Sequence, residues 1–305
     1  MTRRYVVTGC EGQVVKSLLA HHENGEGVEI LPLGRPELDL AQTDTIEPAL
    51  VEARPDLIIS AAAYTAVDKA EEEAENAAQI NGIAVGEMGR VAARLGVPVV
   101  HLSTDYVFDG KKSTPYSEED PVNPLGVYGR SKLDGERRLV ESGADHVIVR
   151  TAWVYSPFGN NFLRTMLRLA QTREMVSVVS DQLGNPTSAL DIADAVMAIA
   201  NNVLGSAEPT LRGIFHMSGQ GEANWAEFAS EIFRVSDILG GPSAIVQPIT
   251  TADYPTAAQR PNNSRMNCDK LAKTHNVRLP EWKAAAETVL RQMLADRLND
   301  LEITR

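Results

Sequence analysis

Tyr128-Gly129-Arg130-Ser131-Lys132 sets a phenol and an ammonium four residues apart, a spacing that places both on one face of a helix. An unperturbed tyrosine titrates near 10. Bringing it to about 7 takes about 4 kcal/mol of preferential stabilisation of the phenolate, and the neighbouring cation is the expected source. Such a phenol is a general acid, able to protonate an oxygen as hydride arrives on its carbon. Thr104, in the run Leu102-Ser103-Thr104-Asp105-Tyr106-Val107-Phe108, adds a hydroxyl at the end of an apolar stretch, so Thr104, Tyr128 and Lys132 form the expected catalytic set. Alone, Tyr-x-x-x-Lys is a common helix-surface pair. Its company gives it meaning.

That company begins at Gly9-Cys10-Glu11-Gly12-Gln13-Val14-Val15, a glycine turn directly after an apolar run and before a helical pattern, where backbone N–H groups face a pyrophosphate. Val15 stands where a dinucleotide fingerprint has its third glycine, a position that serves helix packing more than phosphate approach. Further on, Leu33-Gly34-Arg35 replaces the acidic residue that would hold the ribose 2′-hydroxyl of NAD. A guanidinium there pairs with a 2′-phosphate, so NADPH is the expected cofactor and NADH the alternative. Arg35 also reads as a plain surface arginine before Pro36.

The elements that must position these groups alternate. β-Branched runs at 5–8, 28–33, 57–60, 97–102 and 147–150 read as parallel strands, and 13–23, 45–53, 74–95 and 131–142 as crossover helices. This predicts an α/β fold, a doubly wound parallel sheet of Rossmann type, with a second, smaller α/β substrate lobe. Residues 1–155 would bind the dinucleotide, a helix at 189–204 and a strand at 213–218 would return to that sheet within about 188–220, and 156–187 with 221–305 would build the second lobe. A helix is expected at 162–171. The acidic cluster Glu71-Glu72-Glu73 with Glu75 reads as a solvated helix start.

Composition narrows the class. Of 305 residues, 29 are Lys or Arg and 41 Asp or Glu, a net charge of −12 that argues against a nucleic-acid partner. No apolar run has the length of a membrane span, and no signal peptide is apparent. Two cysteines, Cys10 and Cys268, make no disulfide scaffold, so a reducing, cytoplasmic setting is expected. The six histidines show no metal spacing: His21 and His22 are adjacent and diverge on a helix, and His101 and His216 sit in apolar strands as core residues.

The chain resembles the extended short-chain dehydrogenase/reductase superfamily and, within it, the dTDP-4-dehydrorhamnose reductases. The resemblance rests on Gly12-Gln13-Val14; Ala61 to Glu71 (AAAYTAVDKAE); Ser103 to Phe108; Val127-Tyr128-Gly129 with Ser131-Lys132-Leu133; Arg150 to Tyr155; Asp181-Gln182 with Gly184, Pro186 and Thr187; and Arg260-Pro261 with Asn263-Ser264-Arg265. It implies that Thr104 and Tyr128 bond the C4 oxygen of a dTDP-deoxysugar substrate, that Tyr128 protonates it, and that Lys132 also holds the nicotinamide ribose. Asp105 and Tyr106 would lie beside the sugar, Trp153 would pack on it, and Arg260 would meet the diphosphate. The dinucleotide would contact Gly9, Gly12, Gln13, Val14, Asp39, Leu40, Ala63, Tyr64 and Thr65, with Leu102 near the nicotinamide. For several of these a structural role is the alternative: a core aromatic for Trp153, a turn for Asp39, packing for Tyr64 and a carboxylate partner for Arg260. Relatives that hold Mg²⁺ at a dimer interface use a glutamate where this chain has Leu190, so no metal is expected, and a monomer or homodimer is.

Competing functions are separable. Sugar-nucleotide dehydratases need an Asp-Glu pair where this chain has Asp105-Tyr106. An epimerase would use the same tyrosine and lysine. A non-catalytic NADP-binding regulatory subunit predicts a degraded Thr/Tyr/Lys set, which is intact here.

Overall fold

The chain, described by a computed structural model for residues 2–22 and 27–303, with side chains to residue 20 and from 27 to 295, alternates strand and helix from its start. It runs β1 (Arg3–Thr8), α1 (Gln13–His22), β2 (Val28–Leu33), α2 (Ile46–Ala53), β3 (Leu57–Ser60), α3 (Val67–Ala70) and α4 (Ala74–Ala78). A π-helical turn (Gln79–Ile83) leads into α5 (Ala84–Leu95), then β4 (Val99–Thr104), α6 (Val127–Glu141) and β5 (His146–Thr151). The second half continues through β6 (Val154–Tyr155), α7 (Phe162–Ala170), β7 (Met175–Val179), β8 (Leu183–Gly184), β9 (Thr187–Ser188), α8 (Ala189–Gly205) and β10 (Gly213–His216). It closes with β11 (Ala223–Asn224), α9 (Trp225–Ile238), β12 (Ile245–Ile249), α10 (Asp269–His275) and α11 (Trp282–Ile303).

Six strands form one parallel sheet in the order β10-β5-β4-β3-β1-β2. The chain leaves β1 towards β2 on one side and resumes with β3 on the other, so the order reverses at β1/β3, and ligands of such sheets bind in the crevice beyond the strand ends at that point. The glycine turn and the loop 61–65 flank it. The strands are near-continuous apolar runs because both faces are covered. α1 and α8 bury Leu18, Ile192 and Val196 on one face, and α2 and α5 bury Leu50, Met88 and Val91 on the other. A separate apolar cluster around Phe228, Trp282 and Leu290 joins α7, α9 and α11. No helix among the described residues is long and apolar enough to cross a membrane.

Several boundaries shift by one or two residues, among them the start of β1 and the end of β10, and three differences bear on the site. β4 starts at Val99 and reaches Thr104, because Pro98 has no N–H to give the ladder and the polar Ser103-Thr104 pair still bonds Arg150 and Thr151 of β5. α6 begins at Val127, four residues early, its first N–H accepted by Glu71 at 2.8 Å. The single helix expected at 74–95 is interrupted by the π turn, whose Asn81 carbonyl meets α6 where Gly135 has no side chain; a Cβ there would collide with it. The helix end expected at Glu23 and the side chains of His21 and His22 lie outside the described residues.

Candidate active site

β1 ends in Thr8, whose hydroxyl accepts the N–H groups of Ala61 and Ala62 at 3.0 and 2.9 Å and so ties the ends of β1 and β3 together. Gly9 then takes φ +88°, a conformation open to glycine, and a Cβ on it would lie 3.2 Å from that of Ala62. Gly12 caps the turn, and α1 starts at Gln13 with no acidic residue in its first turn, leaving the positive end of the helix uncompensated for an anion. The Gln13 side-chain oxygen accepts from Ser156 and Asn161, each at 2.9 Å, which fastens the turn to the start of the second half. Val14 and Val15 are buried. Arg35 is exposed just beyond β2, where Gly34 approaches the turn so closely that a Cβ would sit 2.8 Å from Cys10 Sγ. Asp39 accepts from Ala41 N–H at 3.0 Å as a turn residue, beside buried Leu40.

Ala63, Tyr64 and Thr65 follow β3. Asn81, buried in the π turn, accepts the Tyr64 N–H at 2.8 Å and donates to the Tyr64 carbonyl and the Ser131 hydroxyl, both at 3.0 Å. One amide thus fixes the cofactor-side loop to the helix that carries Tyr128. π turns are frequent at functional sites, and this one aims the amide.

Thr104, Asp105 and Lys132 are buried, with Tyr106 and Tyr128 partly so. Thr104 Oγ1 donates to Asp105 Oδ1 at 3.0 Å and accepts the Tyr106 N–H at 3.2 Å. The Tyr128 ring meets Tyr106 edge-on, centroids 5.7 Å apart. Burial pushes the Tyr128 phenol up to about 12; the Thr104 hydrogen bond pulls it down and the Asp105 charge pushes it further up. Burial also raises Asp105 to about 6 against hydrogen bonds from Ser264 and Thr104. Lys132 Nζ donates to the Leu102 carbonyl at 2.6 Å and lies 3.4 Å from His101 Nε2, and burial lowers it to about 8 although Glu136 holds it up. Here the ammonium bonds the end of β4 and burial keeps the phenol protonated, so the expected lowering of the phenol by Lys132 is not seen in this arrangement.

On the other side of the crevice, Trp153 takes φ +45°, a strained conformation for a bulky residue, and stacks on Trp225 at 3.5 Å and 7°. Gly184 leaves room beneath the ring, where a Cβ would collide with it. Arg260 Nη2 bonds Asp68 at 2.8 Å, while Nη1 is buried with no partner among the described residues.

The RmlD substrate binding domain family matches residues 3–295. The chain belongs to that family. It is 51% identical to a dTDP-4-dehydrorhamnose reductase of Sinorhizobium fredii over 96% of this chain and 98% of the relative, and 40% identical to one of Burkholderia thailandensis over 96% and 99%. A Bacillus anthracis dTDP-4-dehydrorhamnose reductase solved in complex with NADP superposes with a TM-score of 0.88 at 34% identity, covering 96% of this chain and 100% of that one.

In this RmlD family member the expected residues fall into two groups beyond the carboxyl ends of the strands, the turn–loop set around Gly9 and Ala63, after β1 and β3, and the Thr104–Tyr128–Lys132 set at the end of β4 and on α6. Arg260 is held by Asp68. Trp153 is the outlier, held by Trp225. The acidic cluster is more than a solvated helix start: Glu71 caps α6, and Glu73 accepts the Tyr64 hydroxyl at 2.9 Å and pairs with Lys69 at 2.6 Å. His101 and His216 are core residues as read. Leu190 is buried in apolar surroundings, which fit no cation ligand. Asn81, Glu136 and Asp68 went unread. Asn81 and Glu136 carried no signal beyond lying in helical stretches, and Asp68 stood in a motif without an assigned partner.

Proposed function

We propose that the protein reduces the C4 keto group of dTDP-4-dehydro-L-rhamnose to give dTDP-L-rhamnose, using NADPH, with NADH as the weaker alternative. The observation that carries this is the protonated phenol of Tyr128, one helical turn from a Lys132 that bonds the end of β4, where Thr104 closes the strand, in a sheet whose β1 ends in a glycine turn. NADPH supplies the hydride when bound. Gly9, Gly12, Gln13 and Val14 would hold its pyrophosphate at the start of α1, Arg35 the 2′-phosphate, and Asp39, Leu40, Ala63, Tyr64 and Thr65 the adenosine side, with Leu102 and Lys132 at the nicotinamide end.

Tyr128 gives its proton to the C4 oxygen as negative charge develops there. A phenol at about 12 stays fully loaded at neutral pH and is still a stronger acid than the secondary alcohol it creates. Thr104 fixes the oxygen within reach, and Asp105, Tyr106, Trp153 and Arg260 surround the sugar and its diphosphate. Because donors and acid are already held in place, little reorganisation accompanies the charge shift. The division of labour follows the chain: residues 1–155 and about 188–220 as cofactor lobe, 156–187 and 221–305 as substrate lobe. A cytoplasmic location goes with this reading.

Mixing purified protein with NADPH and dTDP-4-dehydro-L-rhamnose tests it: the expected result is loss of nicotinamide absorbance with formation of dTDP-L-rhamnose, and no oxidation sinks the proposal. Arg35→Ala is expected to raise KM for NADPH about tenfold, the scale of one lost charge-assisted contact, and to leave KM for NADH unchanged. An unaltered ratio of the two constants removes Arg35 from the site.

A further inference from the structure

We infer that Asp68 is a positioning residue that presents Arg260 to the diphosphate of the substrate. The inference rests on the reading of the substrate as a nucleoside diphosphate sugar. Asp68 lies in α3, three residues past the loop 63–65 that faces the cofactor. Its carboxylate is used twice: Oδ1 accepts the Ala258 N–H at 3.1 Å and Oδ2 takes Arg260 Nη2 at 2.8 Å. The C-terminal segment 258–260 is thereby clamped to the cofactor side of the crevice. The charge of Arg260 also acts on Tyr106, whose ring packs edge-on against Tyr128.

An arginine side chain has several soft torsions, and a guanidinium held at Nη2 loses part of that freedom before a ligand arrives. The remaining Nη1 is buried and unpartnered among the described residues, a costly arrangement for a charged donor unless an acceptor joins it. A diphosphate supplies such acceptors in the planar, two-oxygen form that an arginine fork matches.

Charge alone gives the opposite expectation. Asp68 cancels the positive charge of Arg260, so removing it makes the site more attractive to a dianion. Positioning requires that removing it weakens diphosphate binding. Calorimetric titration of the full-length wild type and Asp68→Asn with dTDP, thymidine and NADPH separates the two. Asp68→Asn is expected to raise Kd for dTDP at least tenfold, leaving thymidine and NADPH within threefold, and unchanged NADPH affinity shows that the fold is kept. Arg260→Ala should lose a similar factor, and the double variant little more, since one contact is removed by either change.

Tighter or unchanged dTDP binding by Asp68→Asn, fully additive losses in the double variant, or a wild type that binds dTDP no better than thymidine overturns the inference. Turnover distinguishes it from the reading beneath it. Wild type that oxidises NADPH while Asp68→Asn binds dTDP normally defeats the inference alone. The expected dTDP pattern without any reduction of dTDP-4-dehydro-L-rhamnose defeats the proposed reaction alone.

Discussion

Tyr128→Phe is expected to lower kcat by about 10²- to 10⁴-fold, the range for loss of a general acid, while the Kd for NADPH stays within about twofold. The ring keeps its edge-on contact with Tyr106, so the change removes one hydroxyl and little packing. Thr104 remains to orient the ketone but has no comparable proton to give. A variant that retains more than about a tenth of wild-type turnover would show that the proton comes from elsewhere. The pH profile adds a second check. With its pKa raised to about 12, the phenol stays protonated well above neutrality, so the reduction should lose no rate to phenol ionisation between about pH 6 and 9. Had Lys132 drawn it to about 7, the rate would fall tenfold for each pH unit above that point.

Glu136→Ala should be the most damaging single change to stability, at about 3–5 kcal/mol, because it strands a buried charge. Glu136 lies one turn beyond Lys132 on α6, and both its oxygens bond Arg150 of β5, at 2.9 and 2.7 Å. It also accepts the Ser103 hydroxyl of β4 at 2.5 Å. Both ionic side chains are only 3% exposed. Arg150 has little else: its Nη1 has no partner among the described residues, and its guanidinium lies 5.3 Å over the Phe108 ring. Without Glu136 the guanidinium would be left in a site that water cannot readily reach. Glu136→Gln, of equal size, keeps one acceptor but loses the countercharge and turns an NH2 towards another donor, so a loss of similar size is expected without any cavity. Urea unfolding of the three proteins measures both differences. A loss below about 1 kcal/mol for the alanine variant would mean that the pair contributes no net stability.

What the sequence disclosed was local. The glycine turn announces itself because a strand, a positive-φ residue and a helix start within a dozen positions, and Tyr128 and Lys132 because helical periodicity relates them. Thr104 was legible as the last residue before a polar break. The unread residues work across the fold: Asn81 meets Ser131 from 50 positions away, and Asp68 meets Arg260 from 192. Nothing in their immediate neighbours marks such partners. The setting of Lys132 was hidden for a related reason. Spacing put the two on one face, but the nearest acceptor for the ammonium is the backbone of β4, which spacing within a helix cannot reveal.

The stacked indoles have an optical consequence. The chain has three tryptophans, and Trp153, Trp225 and Trp282 all belong to the apolar cluster of α7, α9 and α11, with none in the six-stranded sheet. Tryptophan emission, excited at the red edge where tyrosine does not absorb, therefore arises from that side of the molecule alone. The two rings stack at 3.5 Å, so a ligand that covers or parts them alters the spectrum without any attached dye. On the proposed division of the chain, that emission gauges occupancy of the substrate lobe.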